Sequence, residues 1–151
     1  ANPGARSSSW GPTFPLVVLT GGEPALQVTW RLAKAIQLTG RRVAIETNGT
    51  VELDLPDGVW ITVSPKVVPS CIKQRVGSEL KLPFPGTLVD PDAYRQELTG
   101  FEYYVLTPRA ITPERGRSLI ERANIEAAFR YVLTHPSWRF SLQTHKHVGA
   151  R

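Results

Sequence analysis

The 151-residue chain contains a single cysteine, Cys71, and no methionine. One thiol excludes an internal disulfide and cannot by itself hold an iron–sulfur cluster, which needs several thiolates. Cys71 lies among Pro69, Ser70 and Lys73 in an expected loop, where an incidental thiol is the plain reading. The absence of methionine fits a chain without its natural start, and equally one whose initiator methionine has been removed. No apolar run approaches the ~20 residues that cross a bilayer as a helix. Ala1-Asn2-Pro3-Gly4-Ala5-Arg6 also lacks an apolar signal-peptide core, so the expectation is a cytoplasmic protein with no membrane partner. Eighteen basic residues against thirteen acidic ones give a net charge of +5, but no dense basic run. The balance suits an anionic ligand, whereas scattered pairs such as Arg41-Arg42 and Arg115 with Arg117 read as solvated surface rather than a nucleic-acid patch. Neither a G-x-G-x-x-G fingerprint nor a P-loop occurs, which argues against an unrelated α/β nucleotide-binding protein.

What is present is enough for one folded domain. Hydrophobic residues make up 41% and charged residues 21%, the balance of a globular chain with a real core. Residues 1–15, rich in Gly, Pro and Ser, read as an irregular leader, and 16–151 as the domain. Leu16 to Leu19 is an apolar strand. Leu26, Leu32, Ala33 and Ile36 then recur at helical spacing, with Gly40 placed as the stop. Strands are expected at 42–47, closed by Asn48-Gly49, and at 59–63, closed by Ser64-Pro65-Lys66. The short alternation Glu79-Leu80-Lys81-Leu82 is expected to break at Pro83 and Pro85. A short helix over 92–98, a strand over 101–106, a helix over 119–133 ended by His135-Pro136, and a last strand over 139–143 complete the pattern. On that helix Ile125, Ala128, Phe129 and Val132 share one face. Strands alternating with helices predict parallel βα units. About five strands are too few for a closed eight-stranded barrel, so a partial barrel or open α/β sheet is expected.

Ligands in parallel α/β folds bind at the carboxyl ends of the strands. Five polar segments fall there: Thr20-Gly21-Gly22-Glu23, Glu46-Thr47-Asn48-Gly49, Ser64-Pro65-Lys66, Thr107-Pro108-Arg109 and Gln143-Thr144-His145-Lys146. Each alone is ordinary turn chemistry, but recurrence at strand after strand builds one rim. Two glycines leave backbone groups open to a ligand, and Glu23 adds an acceptor for an ammonium group. Glu46 reads equally as a surface carboxylate or a ligand contact. Lys66 and Lys81 read as solvated charges unless the rim recruits them, and His145 suits hydrogen bonding or proton transfer. His135 and His147 look structural or exposed. His145 and His147 stand two apart with no cysteine or carboxylate nearby, so no metal site is expected.

Gly21-Gly22-Glu23-Pro24 resembles the motif that holds the aminocarboxylate of S-adenosylmethionine (SAM) in radical SAM enzymes. With Ile45-Glu46-Thr47-Asn48-Gly49-Thr50, Ile61-Thr62-Val63-Ser64-Pro65-Lys66, Glu79-Leu80-Lys81 and Phe140-Ser141-Leu142-Gln143-Thr144-His145-Lys146, the chain from about residue 15 onward resembles the 7-carboxy-7-deazaguanine synthase family. The resemblance implies a partial radical-SAM-type barrel without its first strand and cluster loop. It implies a radical lyase that contracts 6-carboxy-5,6,7,8-tetrahydropterin to 7-carboxy-7-deazaguanine with loss of ammonia, in queuosine and deazapurine biosynthesis. The cofactors implied are SAM, a [4Fe–4S] cluster and Mg²⁺. Gly22, Glu23, Ser64, Pro65 and Lys66 would contact SAM, as would Thr107, Pro108, Arg109 and Ala110, where the family usually has Gln-Pro and this chain has Thr-Pro. Thr20, Gln143, His145 and Arg151 would contact the pterin. A homodimer is implied as well. The family's Cys-x3-Cys-x2-Cys loop lies upstream and is not in this chain, so the polypeptide alone is not expected to form the radical. The alternative is a cluster-free module that binds SAM or pterin without catalysis. A missing first strand would also leave an open sheet edge, from which marginal stability or self-association is expected.

Overall fold

The computed structural model describes residues 15–111 and 119–144. Its elements run β1 (Leu16–Leu19), a 3₁₀ turn (Pro24–Leu26), α1 (Trp30–Leu38), β2 (Arg42–Thr47), β3 (Trp60–Val63), a second 3₁₀ turn (Pro69–Cys71) and β4 (Val76–Phe84). They continue with α2 (Pro91–Glu97), β5 (Gly100–Pro108), β6 (Ala110–Ile111), β7 (Leu119–Ile120), α3 (Arg122–Thr134) and β8 (Arg139–Phe140). Six strands form one sheet in the order β1-β2-β3-β4-β5-β8, and every pairing in it is parallel. The order follows the chain without reversal. That is how a barrel wall is built, whereas a doubly wound sheet reverses at a switch point. Among the described residues β1 and β8 are the two edges, so the sheet they form is an open partial barrel.

Local chemistry accounts for most of the boundaries. Thr29 caps α1 by accepting the Leu32 N–H at 3.3 Å, and Gly40, at φ +76°, carries the chain out of the helix. Leu26 falls in the 3₁₀ turn before α1 and is exposed, so it does not belong to the helical stripe, from which only Ala33 is fully buried. Asp90 caps α2, accepting the Asp92 N–H at 2.8 Å, and Pro91 occupies the first helical position, where no N–H is needed.

Three expectations are corrected. The main sheet has six strands, not about five. The helix expected over 119–133 begins at Arg122, because Leu119–Ile120 pairs with Ala110–Ile111 as a small antiparallel ribbon. β4 does not break at Pro83 but runs to Phe84. It pairs with β3 only through Leu80, so past that point it bonds on the β5 side alone and can carry a proline.

The sheet has two unlike faces. Leu80, Leu82 and Leu106 point outward into a core with Val63, Tyr94, Leu98 and Trp138 under α2 and α3. Each such fully buried side chain contributes roughly 1.5–3 kcal/mol by leaving water. Polar atoms within this core are paired: Trp138 Nε1 donates to Asp92 Oδ1 at 2.8 Å, and the Tyr94 hydroxyl donates to the Val67 carbonyl at 2.9 Å. The inner face instead carries Glu46, Thr62, Glu79 and Tyr103, with Leu16 and Val18 each 46% exposed at the β1 edge.

Candidate functional site

The strand ends of β3, β4, β5 and β8 meet in a cleft of about 430 Å³. Ser64, Pro65 and Lys66 line it after β3, Lys81 from β4, Thr107 and Pro108 from the end of β5, and Arg109 with Ala110 just beyond. Gln143 enters from the segment after β8. The structure therefore gathers seven of the expected SAM contacts and one expected pterin contact in a single hollow. Pro65 and Pro108 are buried and fix its floor, while Lys66 and Arg109 are exposed at its mouth. Two cations over a polar hollow give it a positive field suited to a carboxylate or phosphate.

The Gly86-Thr87-Leu88 loop, which follows β4, also lines the cleft. A Cβ on Gly86 would fall on the Arg109 guanidinium, so only glycine lets that side chain lie against the loop. The backbone of Arg109 is held too: its N–H donates to the Phe84 carbonyl at 2.8 Å, and its carbonyl accepts from Asn124 Nδ2 at 2.8 Å.

Thr20, Gly22 and Glu23 stand elsewhere on the rim, at the end of β1, and do not line that cleft. Gly21 and Gly22 have φ of +87° and +53°, with no atom within 4 Å of where a side chain would begin, so this turn faces open space. Glu23 is engaged by its own scaffold. Its Oε1 accepts from the Thr47 hydroxyl at 2.6 Å and from the Ala25 N–H at 3.0 Å, and its Oε2 accepts from the Asn48 N–H at 2.8 Å. A carboxylate has about four acceptor positions, so one is left for a ligand. Glu23 thus ties the ends of β1 and β2 together, which the motif alone did not reveal. The signal was positional: β1 and β2 pair through Leu19 and Ile45, which places Glu23 and Thr47 on adjacent strand ends.

Glu46 and Lys81 read as separate charges along the sequence, whereas the fold joins them. Lys81 Nζ lies 2.8 Å from Glu46 Oε1 across β3, and the lysine side chain is only 15% exposed. Glu79 stands in the sequence only as part of a motif, yet it shares the inner-face hollow with Glu46. Burial pushes its carboxyl above the ordinary range; Lys81 pulls it down, and Glu46 pushes it further up. Cys71 is exposed, and His135 is absorbed locally, its ring stacked on Tyr131 with Nδ1 2.9 Å from the Tyr131 carbonyl. His145, Lys146, His147 and Arg151 lie outside the described residues, as does the 1–14 part of the expected leader.

No family model matches the chain. It is 44% identical over 136 residues to the 7-carboxy-7-deazaguanine synthase of Nitratidesulfovibrio vulgaris, covering 89% of this chain and 59% of that protein. It is 43% identical over 148 residues to the synthase of Bordetella pertussis, covering 96% of this chain and 65% of that one. The chain is similar to the 7-carboxy-7-deazaguanine synthases across most of its length. The fold agrees: the crystal structure of QueE from Escherichia coli superposes with a TM-score of 0.65 at 25% identity, covering 87% of this chain and 57% of that one. The chain thus spans 59–65% of the length of these two synthases. Among the described residues no helix is long and apolar enough to cross a membrane.

Proposed function

We propose that this chain is the SAM- and substrate-binding part of a 7-carboxy-7-deazaguanine synthase, a cytoplasmic, homodimeric radical lyase of queuosine and deazapurine biosynthesis. The complete enzyme would convert 6-carboxy-5,6,7,8-tetrahydropterin to 7-carboxy-7-deazaguanine with loss of ammonia. The observation that carries the reading is convergence: Ser64-Pro65-Lys66, Thr107 to Ala110 and Gln143, far apart in the chain, line one cationic cleft at the strand ends.

SAM fits the residues present. The open Gly21-Gly22 turn offers backbone groups to the methionine part, Ser64, Pro65 and Lys66 would run along its ribose and carboxylate side, and Thr107 and Arg109 would close the cleft around the rest. The remaining acceptor position on Glu23 would take the ammonium group. Thr20, Gln143, His145 and Arg151 would hold the pterin, whose ring edge must be fully paired if analogues are to be rejected.

A [4Fe–4S] cluster does not fit these residues. Cys71 is one exposed thiol, and no group of three His, Cys, Asp or Glu among the described residues could hold a metal. The cluster's thiolates would have to come from outside these 151 residues, and the resemblance places the Mg²⁺-binding threonine with them. This polypeptide by itself is therefore proposed to bind without turning over.

Calorimetric titration of the chain with SAM tests the reading. Saturable binding, weakened at least tenfold in Lys66→Ala and Arg109→Ala while circular dichroism stays unchanged, is expected. Absence of binding, or binding indifferent to both substitutions, would overturn the assignment of the cleft. Stoichiometric iron after anaerobic reconstitution would overturn the claim that the chain lacks cluster ligands.

A further inference from the structure

On the inner face of the sheet, Glu46 on β2, Thr62 on β3, Glu79 on β4 and Tyr103 on β5 stand in one register row. Lys81, two residues beyond Glu79 on the same strand, shares that face. Its ammonium reaches over β3 to Glu46 at 2.8 Å. One ammonium is therefore flanked by two carboxylates, of which it holds one.

The two carboxylates are not equivalent. Glu46 is paired and 43% exposed. Glu79 is half-buried and its carboxyl makes no hydrogen bond or ion pair with another described residue, although it lines the hollow it shares with Glu46 and the adjoining one with Tyr103 and Arg139. The charged groups facing Glu79 are few. β2 contributes Glu46 and, at its start, Arg42; β3 contributes only Trp60 and Thr62; β4 contributes Lys81. β5 contributes the Tyr103 phenol, and β8 contributes Arg139, whose guanidinium lies 4.0 Å over the Tyr103 ring. Lys81 is the cation with the reach. Side chains two apart on a strand start about 7 Å from one another, which a lysine and a glutamate stem together span.

We propose that Glu79 is a positioning residue, the alternative acceptor for the Lys81 ammonium, which lets Glu46 be released to the N–H donors of a ligand on the inner face. Without Glu79, a ligand taking Glu46 would strand a mostly buried ammonium, an unfavourable state in the low-dielectric interior. With it, Lys81 turns from one carboxylate to the other and stays paired. The pterin as that ligand rests on the function proposed above, but the exchange itself does not.

The test therefore uses no ligand, so its failure leaves the proposed function standing. Urea unfolding at pH 7 compares Glu46→Gln, Glu79→Gln and the double variant, and the ¹³Cε and ¹⁵Nζ resonances of Lys81 are followed against pH. Removing both carboxylates is expected to lower the midpoint by more than the sum of the single changes, because each covers the loss of the other. In Glu46→Gln the Lys81 resonances should acquire an inflection at the midpoint of Glu79, and Glu79→Asp should keep part of it. Additive midpoints, or a Lys81 signal in Glu46→Gln that ignores the state of Glu79, would overturn the proposal. The single-variant titration decides the matter if the double variant fails to fold.

Discussion

The Thr47 hydroxyl donates to Glu23 Oε1 at 2.6 Å, joining the ends of two neighbouring parallel strands at the rim where the expected ligand contacts stand. A hydrogen bond to a carboxylate contributes about 1.5–3 kcal/mol. Thr47→Val keeps the shape of this buried residue while removing the donor to Glu23 and, with it, the oxygen that accepts the Gly49 N–H at 3.1 Å. It is expected to cost at least that amount in urea unfolding, since the Gly49 N–H loses its acceptor as well, and a loss below about 0.5 kcal/mol would show that the tie carries little.

Gly49 is a second fixed point of the same rim. Its φ is +80°, and a Cβ there would fall 2.6 Å from Val63 Cγ1 and 3.2 Å from Ile72 Cγ2. Gly49→Ala combines backbone strain with overpacking and should destabilise by roughly 1–3 kcal/mol. Combined with Val63→Ala, which opens the space, the total loss should be smaller than the sum of the two; strict additivity would show that the contact is not the cause.

The raised carboxyl of Glu79 sets a sign for pH dependence. From its ordinary value of 4.5 up to its raised value, the folded state binds more protons than the unfolded one, so stability falls as pH rises through that window. Glu79→Gln should flatten this slope and leave the variant at least as stable as the parent at neutral pH. A slope unchanged by the substitution would assign it to other groups.

All four tyrosines have phenols pushed above 10. Burial is the main cause at Tyr94, Tyr104 and Tyr131, the last also donating to Asp90, and a hydrogen bond with Glu102 is the main cause at Tyr103. Spectrophotometric titration should show little phenolate at pH 10 while far-ultraviolet circular dichroism is native. Stability should then be lost as pH rises from the unfolded value through the raised ones. Half-ionisation at the ordinary value in the folded chain would contradict the burial of Tyr94, Tyr104 and Tyr131 and the hydrogen bond of Tyr103.

Among the described residues β1 pairs with β2 alone, and Leu16 and Val18 on its inner face are each 46% exposed. An open, apolar parallel edge invites pairing with another chain. Sedimentation of the chain should depend on concentration, and Val18→Lys should reduce that dependence. A sharp monomer melt independent of concentration would count against it.

Much of this was legible along the chain because its causes are local. Asn48-Gly49 and Ser64-Pro65 end strands through their own backbone preferences, and β2 runs over the six residues its apolar pattern marks. The strand-end motifs also mark most of what lines the cleft, since parallel strands must place their carboxyl ends on one rim. Periodicity misplaced the start of α3, where Leu119–Ile120 finds a strand partner at Ala110–Ile111, and stopped β4 early, where the loss of its β3 neighbour makes Pro83 acceptable.

The sequence by itself determined the parallel α/β class, the polar rim and the likeness to the deazaguanine synthases, because alternation, turn residues and contiguous motifs are written in neighbouring positions. Only the tertiary structure decided that Glu23 is bound to Thr47 and Asn48, that Lys81 reaches Glu46, and that the Glu79 carboxyl stands beside them without a hydrogen-bond or ion-pair partner among the described residues. The bonded pairs join residues 24 to 35 positions apart. They arise from strand register, which sets side chains of different strands in one row and which no single segment of the chain contains.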